Sequence, residues 1–311
     1  MTVHQPTTPT PVTTTDAASD KPAKKAPRAG RDLRAAFAVG LTIGGILIAT
    51  LLWAPRFWVL LPAGAIFVAS HEVVRRLREA GYVIPAVPLL IGGQATVWLG
   101  WRFGAGGAAA GFGGMVVVCM IWRLFMDDGT HRDAADGAPV SHYLRDASAT
   151  AFLAAWVPLF ATFAAMLMYV PTGVVCAPNG SQRLFCLFIT VVASDVAGYA
   201  VGVLWGKHPM VPTISPKKSW EGFAGSMVFG VTATILTTTL LVHRDWWIGA
   251  LLGVLLVLTT TLGDLVESQV KRDLGIKDMG RLLPGHGGLM DRLDGVLPSS
   301  VAAWAVLTLL P

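Results

Sequence analysis

The sequence predicts an all-α polytopic membrane protein with about nine transmembrane helices and a cytoplasmic N-terminus. Three observations predict it. First, 53% of the 311 residues are hydrophobic and only 14% charged, against roughly a quarter charged in ordinary soluble domains. Second, apolar runs of about 20 residues recur, the length that carries a helix across the hydrocarbon core. They are too long and continuous for barrel strands. Third, 20 of the 24 Lys and Arg fall in segments that such a topology places on the cytoplasmic side, the bias of the positive-inside rule. The net charge of +5 is thus a matter of topology and points to no nucleic-acid partner.

Residues 1–34 are rich in Thr, Pro and Ala and end in Lys21, Lys24, Lys25, Arg28, Arg31 and Arg34. They read as a disordered basic tail without a signal-peptide cleavage site, able to touch anionic lipid. Runs at 35–53, 57–74, 83–101 and 104–125, with a charged connector to 147, form an N-terminal transmembrane part. Within it, Gly107 and Gly111 suit close helix packing or dimerisation. Glu72 is expected to pair with Arg75 or Arg76, three and four residues on. Asp127 and Asp128 read as an ordinary acidic loop, and Cys119 as a packing residue. Runs at 148–169, 183–205, 222–242, 246–265 and 295–310 form a second part, 148–311, whose loops 206–221 and 266–294 carry the chemistry. Cys176 and Cys186 flank an extracytoplasmic loop, where a disulfide is one alternative.

The densest polar stretch is Ser268 to Asp294. Pro284-Gly285-His286-Gly287-Gly288 makes a tight backbone whose amides can approach a ligand. Asp291 and Asp294, three apart, share a helix face. Hard oxygen ligands beside glycines and cations point to a Mg²⁺–phosphate site. Upstream, Asp264, Glu267, Ser268 and Lys271 fall at i, i+3, i+4 and i+7, again one face. Asp264 should therefore look toward the pocket of Asp291, or else pair with Lys271 or a neighbouring helix. Asp195 lies midway along the sixth run, where an ionisable group faces a polar cavity or a structural partner. Ser215-Pro216-Lys217-Lys218 is a basic turn before a helix starting near Glu221, able to hold a triphosphate or a lipid phosphate. Its lysines, like Lys271, Arg272, Lys277 and Arg292, are also readable as topogenic charges.

The run Ser268-x-x-Lys271-Arg272-x₄-Lys277-Asp278-x₅-Pro284-x-His286-Gly287-Gly288-x-x-Asp291-Arg292-x-Asp294 resembles the defining motif of the phosphatidate cytidylyltransferases, the CDP-diacylglycerol synthases. Asp195-x-x-x-Tyr199-x-x-Gly202, Gly206-Lys207 and Ser215-Pro216-x-Lys218-x-x-Glu221-Gly222 are similar to a second block of that family. One departure is Val203, where the family commonly has Arg, so that Lys207 is left to supply a phosphate contact or the contact is missing. The resemblance implies transfer of CMP from CTP to phosphatidic acid, giving CDP-diacylglycerol and pyrophosphate. It also implies Mg²⁺ on Asp264 and Asp291 with Asp294 close by, and leaves room for a monovalent co-ion. Lys271 and Arg272 would stabilise charge at the reacting phosphates. His286 would contact phosphate or hold the turn. Asp195, Lys207, Ser215, Lys217, Lys218, Glu221, Ser268, Lys277, Gly287, Gly288 and Arg292 would line the substrate site. The expected setting is the inner cell membrane, with the site open to the cytoplasm, the bilayer as partner and a homodimer as the pairing. Two rival readings are a CTP-dependent polyprenol kinase and an ion-coupled transporter using Asp195 and Asp264.

Overall fold

A computed structural model describes residues 33–126, 142–168, 180–280, 282 and 287–310. The N-terminal tail to residue 32, Asp127, Asp128, Cys176 and His286 lie outside these. Among the described residues, six helices are long and apolar enough to cross a membrane. The described fold is almost wholly helical, as the uninterrupted apolar runs require.

Helix α1 (Leu33–Trp53) ends at Ala54-Pro55, where proline cannot supply an N–H to continue the ladder. A short 3₁₀ turn, Pro55–Phe57, leads into α2 (Leu60–Glu79). Helix α3 (Ala86–Leu124) is broken at Gly104, with φ 67° and ψ −150°. That backbone region is open essentially to glycine alone, and here it reverses the chain. Gly92 lies against Met115, Gly100 against Ala108, Gly107 against Leu99 and Gly111 against Thr96. The two limbs therefore form an antiparallel hairpin, divided where the third and fourth apolar runs meet. Gly107 and Gly111 serve packing inside the chain.

Helices α4 (Tyr143–Ala154) and α5 (Phe160–Met168) are one span joined by a π turn, Ala155–Leu159. Pro158 sits in that turn, where its missing N–H is accommodated by the wider helix. Asp146 at the start of α4 is fully buried and pairs with Arg123 of α3 at 2.8 Å, with Arg145 on its second oxygen at 3.1 Å. The pair ties α4 to the end of α3.

Helix α6 (Gly180–Trp205) packs closely on α7 (Trp220–Leu240) and α7 on α8 (Trp246–Asp273), through Gly198, Gly222, Gly225, Gly249 and Gly253, whose missing Cβ atoms let the backbones approach. Ser226 donates to the Ser194 carbonyl at 2.7 Å across the α6–α7 seam. Cys186 is buried against Thr237 and Thr238 and carries no disulfide. The stretch expected as a basic turn is instead a strand: β1 (Pro209–Val211) pairs antiparallel with β2 (Ser215–Ser219). Four-residue α9 (Met290–Leu293) then feeds α10 (Val296–Leu309). Helix α10 docks on α8 through Thr259, Thr260 and Ser299 hydroxyls at 2.8 to 3.0 Å.

Candidate active site

The end of α8 builds the site. Its 3.6-residue period brings Asp264, Glu267, Ser268 and Lys271 to one face, as their spacing requires. Ser268 donates to Asp264 Oδ1 at 3.3 Å, and Lys271 pairs with Glu267. Gly263 abuts the Asp294 carbonyl, so the two segments touch backbone to backbone. Asp264, Glu267 and Asp294 consequently converge, each offering a carboxylate oxygen, all within 4.8 Å of one another. Glu267 is buried, and its Oε1 has no hydrogen-bond partner among the described residues. Three crowded acids with an orphaned buried oxygen form a hard-oxygen donor set that fits a Mg²⁺-type cation.

Asp291, expected among the metal ligands, faces elsewhere. Its Oδ2 accepts from the backbone N–H of Gly288 at 2.8 Å and of Met279 at 3.0 Å, and its Oδ1 takes Lys271 Nζ at 3.0 Å. It closes the loop between α8 and α9. The backbone stays helical through Asp294, whose N–H bonds the Met290 carbonyl at 3.1 Å, yet the two aspartates take different partners: Asp294 joins the acids of α8 and Asp291 the loop amides. Lys271 bridges Glu267 and Asp291, tying that loop to the acid cluster.

The second block reaches the same place. Lys218, on β2, pairs with Asp264 Oδ2 at 2.7 Å and donates to the Thr261 carbonyl at 3.3 Å. Asp195 on α6 lies within electrostatic reach of Asp264, Lys218 and Arg292. Arg272 donates to the Ile214 carbonyl at 3.2 Å, pinning the ribbon's turn to the end of α8. Glu221 is not turned to the acids. It accepts the Lys207 and His208 amides at 3.1 and 3.2 Å and contacts the His208 ring, so it shapes the bend after α6. Ser219, missed in the sequence, caps α7 by accepting the Gly222 N–H at 3.1 Å. Ser215 is half-buried on β2, while Lys207, Lys217, Lys277 and Arg292 are exposed around these elements. Gly287 has φ 88°, and Gly288 is buried against the Glu72 carboxylate.

With this geometry in place, residues 34–310 match the Cytidylyltransferase family. The chain belongs to the cytidylyltransferase family. It is 71% identical over 295 residues to the phosphatidate cytidylyltransferase of Mycobacterium bovis, covering 94% of each chain. To that of Mycobacterium leprae it is 72% identical over 292 residues, covering 93% of this chain and 91% of the relative. The Brucella melitensis enzyme of the same name matches 132 residues at 42% identity.

As in any site where anions gather, the cytidylyltransferase acids perturb one another. Burial and the neighbouring Asp264 carboxylate push the Asp294 carboxyl up to about 7, against the pull of the Gly295 amide and Lys271. The spacing put Glu267 on the α8 face but gave it no role in the site, because an i+3 acid is equally readable as a helix-face charge; what marks it is its burial beside two other acids. Glu72 was expected to pair with Arg75 or Arg76. Both arginines pair instead with Glu79, each at 2.8 Å, and Glu72 is buried against the motif loop. The reason is reach: Glu79 lies on the open end of α2, whereas Glu72 points into the bundle.

Proposed function

We propose that the chain is a phosphatidate cytidylyltransferase, transferring CMP from CTP to phosphatidic acid with release of pyrophosphate. The observation that carries this is the meeting of both family blocks in one cluster, Lys218 on Asp264 beside Glu267, Asp294 and Lys271. The lipid phosphate is already an anionic nucleophile, so no strong general base is needed. Its oxygen bonds to the α-phosphorus of CTP while the bond to pyrophosphate breaks. The difficulty is to hold two anions together and to offset charge on the leaving group.

In this reading Asp264, Glu267 and Asp294 hold Mg²⁺, which supplies charge neutralisation at phosphate oxygens. Asp291 holds Lys271 and the loop rather than the ion. Lys218 and Lys271 orient the acids and lend positive charge to the phosphates. Lys207, Lys217, Arg272, Lys277 and Arg292 line the approach, with Ser215, Ser268, Gly287 and Gly288 shaping it. Asp195 adds a further acid from the membrane side, and His286 contacts phosphate or holds the turn. A monovalent co-ion is compatible with so acidic a centre.

The proposal includes nine spans. Counting both limbs of α3 with the other long helices, and adding α1 and α10, gives that number among the described residues. It places the N-terminus and active site at the cytoplasmic face of the inner membrane, supported by the Lys/Arg distribution and by the basic ends of α2 and α8 and Lys218 of β2 meeting around the motif loops. Pairing with a second copy is supported by Gly106, Gly113 and Gly114, where a Cβ would meet no atom of the described residues within 4 Å, leaving an outward face of α3 open to close helix approach.

The test uses purified protein in mixed micelles with phosphatidic acid, Mg²⁺ and CTP labelled in the cytosine ring. Metal-dependent label in a CDP-lipid, abolished by EDTA, is expected. Release of CDP with no cytidine on lipid would replace this reading with the kinase. Neither product, with ion flux in liposomes lacking CTP, would replace it with the transporter.

A further inference from the structure

Glu72 lies on α2, in the part of the chain that carries neither family block. It is 9% exposed, and its Oε2 accepts the backbone N–H of Met290, 218 residues later, at 3.0 Å. Met290 begins α9 and adjoins Asp291. Gly280 and Gly288 press their backbones on the same carboxylate. A Cβ on Gly288 would come within 2.6 Å of Oε2, and one on Gly280 would collide with Oε1. That Oε1 is buried without a hydrogen-bond partner among the described residues. One turn further along α2, Arg76 donates to the carbonyls of Met279 at 2.8 Å and Asp278 at 3.3 Å.

We propose that Glu72 is a positioning residue for the reaction, fixing the register of the loop that sets Asp291 and Asp294. A buried carboxylate held unpaired by basic groups is costly. Here it is kept where it receives an amide and leaves no space for any side chain at residues 280 or 288. Asp291 takes its two amides from Met279, whose carbonyl Arg76 holds, and Gly288, which packs on the Glu72 carboxylate. Asp294 follows three residues on. A slip of the loop therefore moves the Lys271 partner and one acid of the cluster together, and displacements of about 1 Å at such sites cost about 100-fold in rate. The inference rests on reading Asp264, Glu267 and Asp294 as the metal centre.

Glu72→Ala, Glu72→Gln, Glu72→Asp and Glu267→Gln are compared in micelles for kcat, KM for CTP, the Mg²⁺ activation midpoint and Mn²⁺ binding by electron paramagnetic resonance. Glu72→Ala is expected to lose about 100-fold in kcat with little change in KM, and to need about tenfold more metal both for activity and for Mn²⁺ binding. Glu72→Gln keeps an acceptor for Met290 and recovers most of both. Glu72→Asp, too short to reach, does not. Should Glu72→Ala fail to fold, the Gln and Asp variants decide: wild-type metal midpoints and kcat in both overturn the proposal. Wild-type behaviour of Glu72→Ala beside an inactive Glu267→Gln overturns the positioning role alone. An active Glu267→Gln that binds Mn²⁺ normally overturns the metal-centre reading beneath it.

Discussion

Asp291 has both carboxylate oxygens committed, to Lys271 on one side and to two backbone amides on the other. An amide in its place has one acceptor and one donor, so either Lys271 or the amides must face a donor. Leaving such a buried group unsatisfied costs about 1–3 kcal/mol. Asp291→Asn is therefore expected to lose turnover together with faster hydrogen exchange at Met279 and Gly288. Glu267→Gln is expected to lose at least about 100-fold in initial rate with amide exchange in that loop unchanged. The Asp294 carboxyl, raised to about 7, gives a pH signature. Between the unfolded value near 3.8 and about 7 the folded protein holds a proton that the unfolded chain lacks. Metal-free stability from this group thus falls as pH rises through that window. A cation must displace the same proton, so the Mg²⁺ concentration needed for half-activation should fall as pH rises to about 7, by up to about tenfold per unit. Activation curves at pH 6 and 8 with equal midpoints would contradict it.

At the scale of elements, α3 and the β1–β2 ribbon are the two places where local chemistry and tertiary contacts had to agree. Gly104 takes φ 67° and ψ −150°, which any other residue adopts only at about 1–3 kcal/mol. Gly104→Ala should lower the thermal midpoint in detergent while leaving the Mg²⁺ midpoint of the surviving enzyme unchanged; full stability would mean that the hairpin turn relaxes elsewhere. The division of residues 83–125 into two runs was readable because Arg102 and Gly104 interrupt the apolar stretch. The ribbon was not readable: Ser215-Pro216-Lys217-Lys218 has turn composition, and only pairing with Pro209–Val211 makes it a strand. That pairing carries Lys218 to Asp264.

For the whole molecule, basic helix ends gather at one end of the bundle, and Arg56, Arg102, Arg183 and Arg244 fall at the ends of the expected opposite side. Single cysteines at Lys277 and Arg102 test the orientation, in a chain with Cys176 replaced; Cys119 and Cys186 are buried and contribute little background. In inside-out vesicles a membrane-impermeant maleimide should label position 277 and spare position 102. The reverse pattern would turn the active site away from its nucleotide.

The sequence by itself determined the helical membrane class, the apolar runs, the α8 face bearing Asp264, Glu267, Ser268 and Lys271, and the family to which its two blocks belong. These are properties of periodicity and spacing, which an isolated helix already expresses. Only the tertiary structure decided which acids meet. Asp294 joined Asp264 and Glu267 because Gly263 of α8 packs against its backbone, and Asp291 turned to Lys271 and to the Met279 and Gly288 amides that the folded loop brings to it. Glu72 likewise found Met290 across 218 residues. Carboxylates choose partners by what the packed backbone leaves unsatisfied nearby, and no local pattern in the chain encodes that.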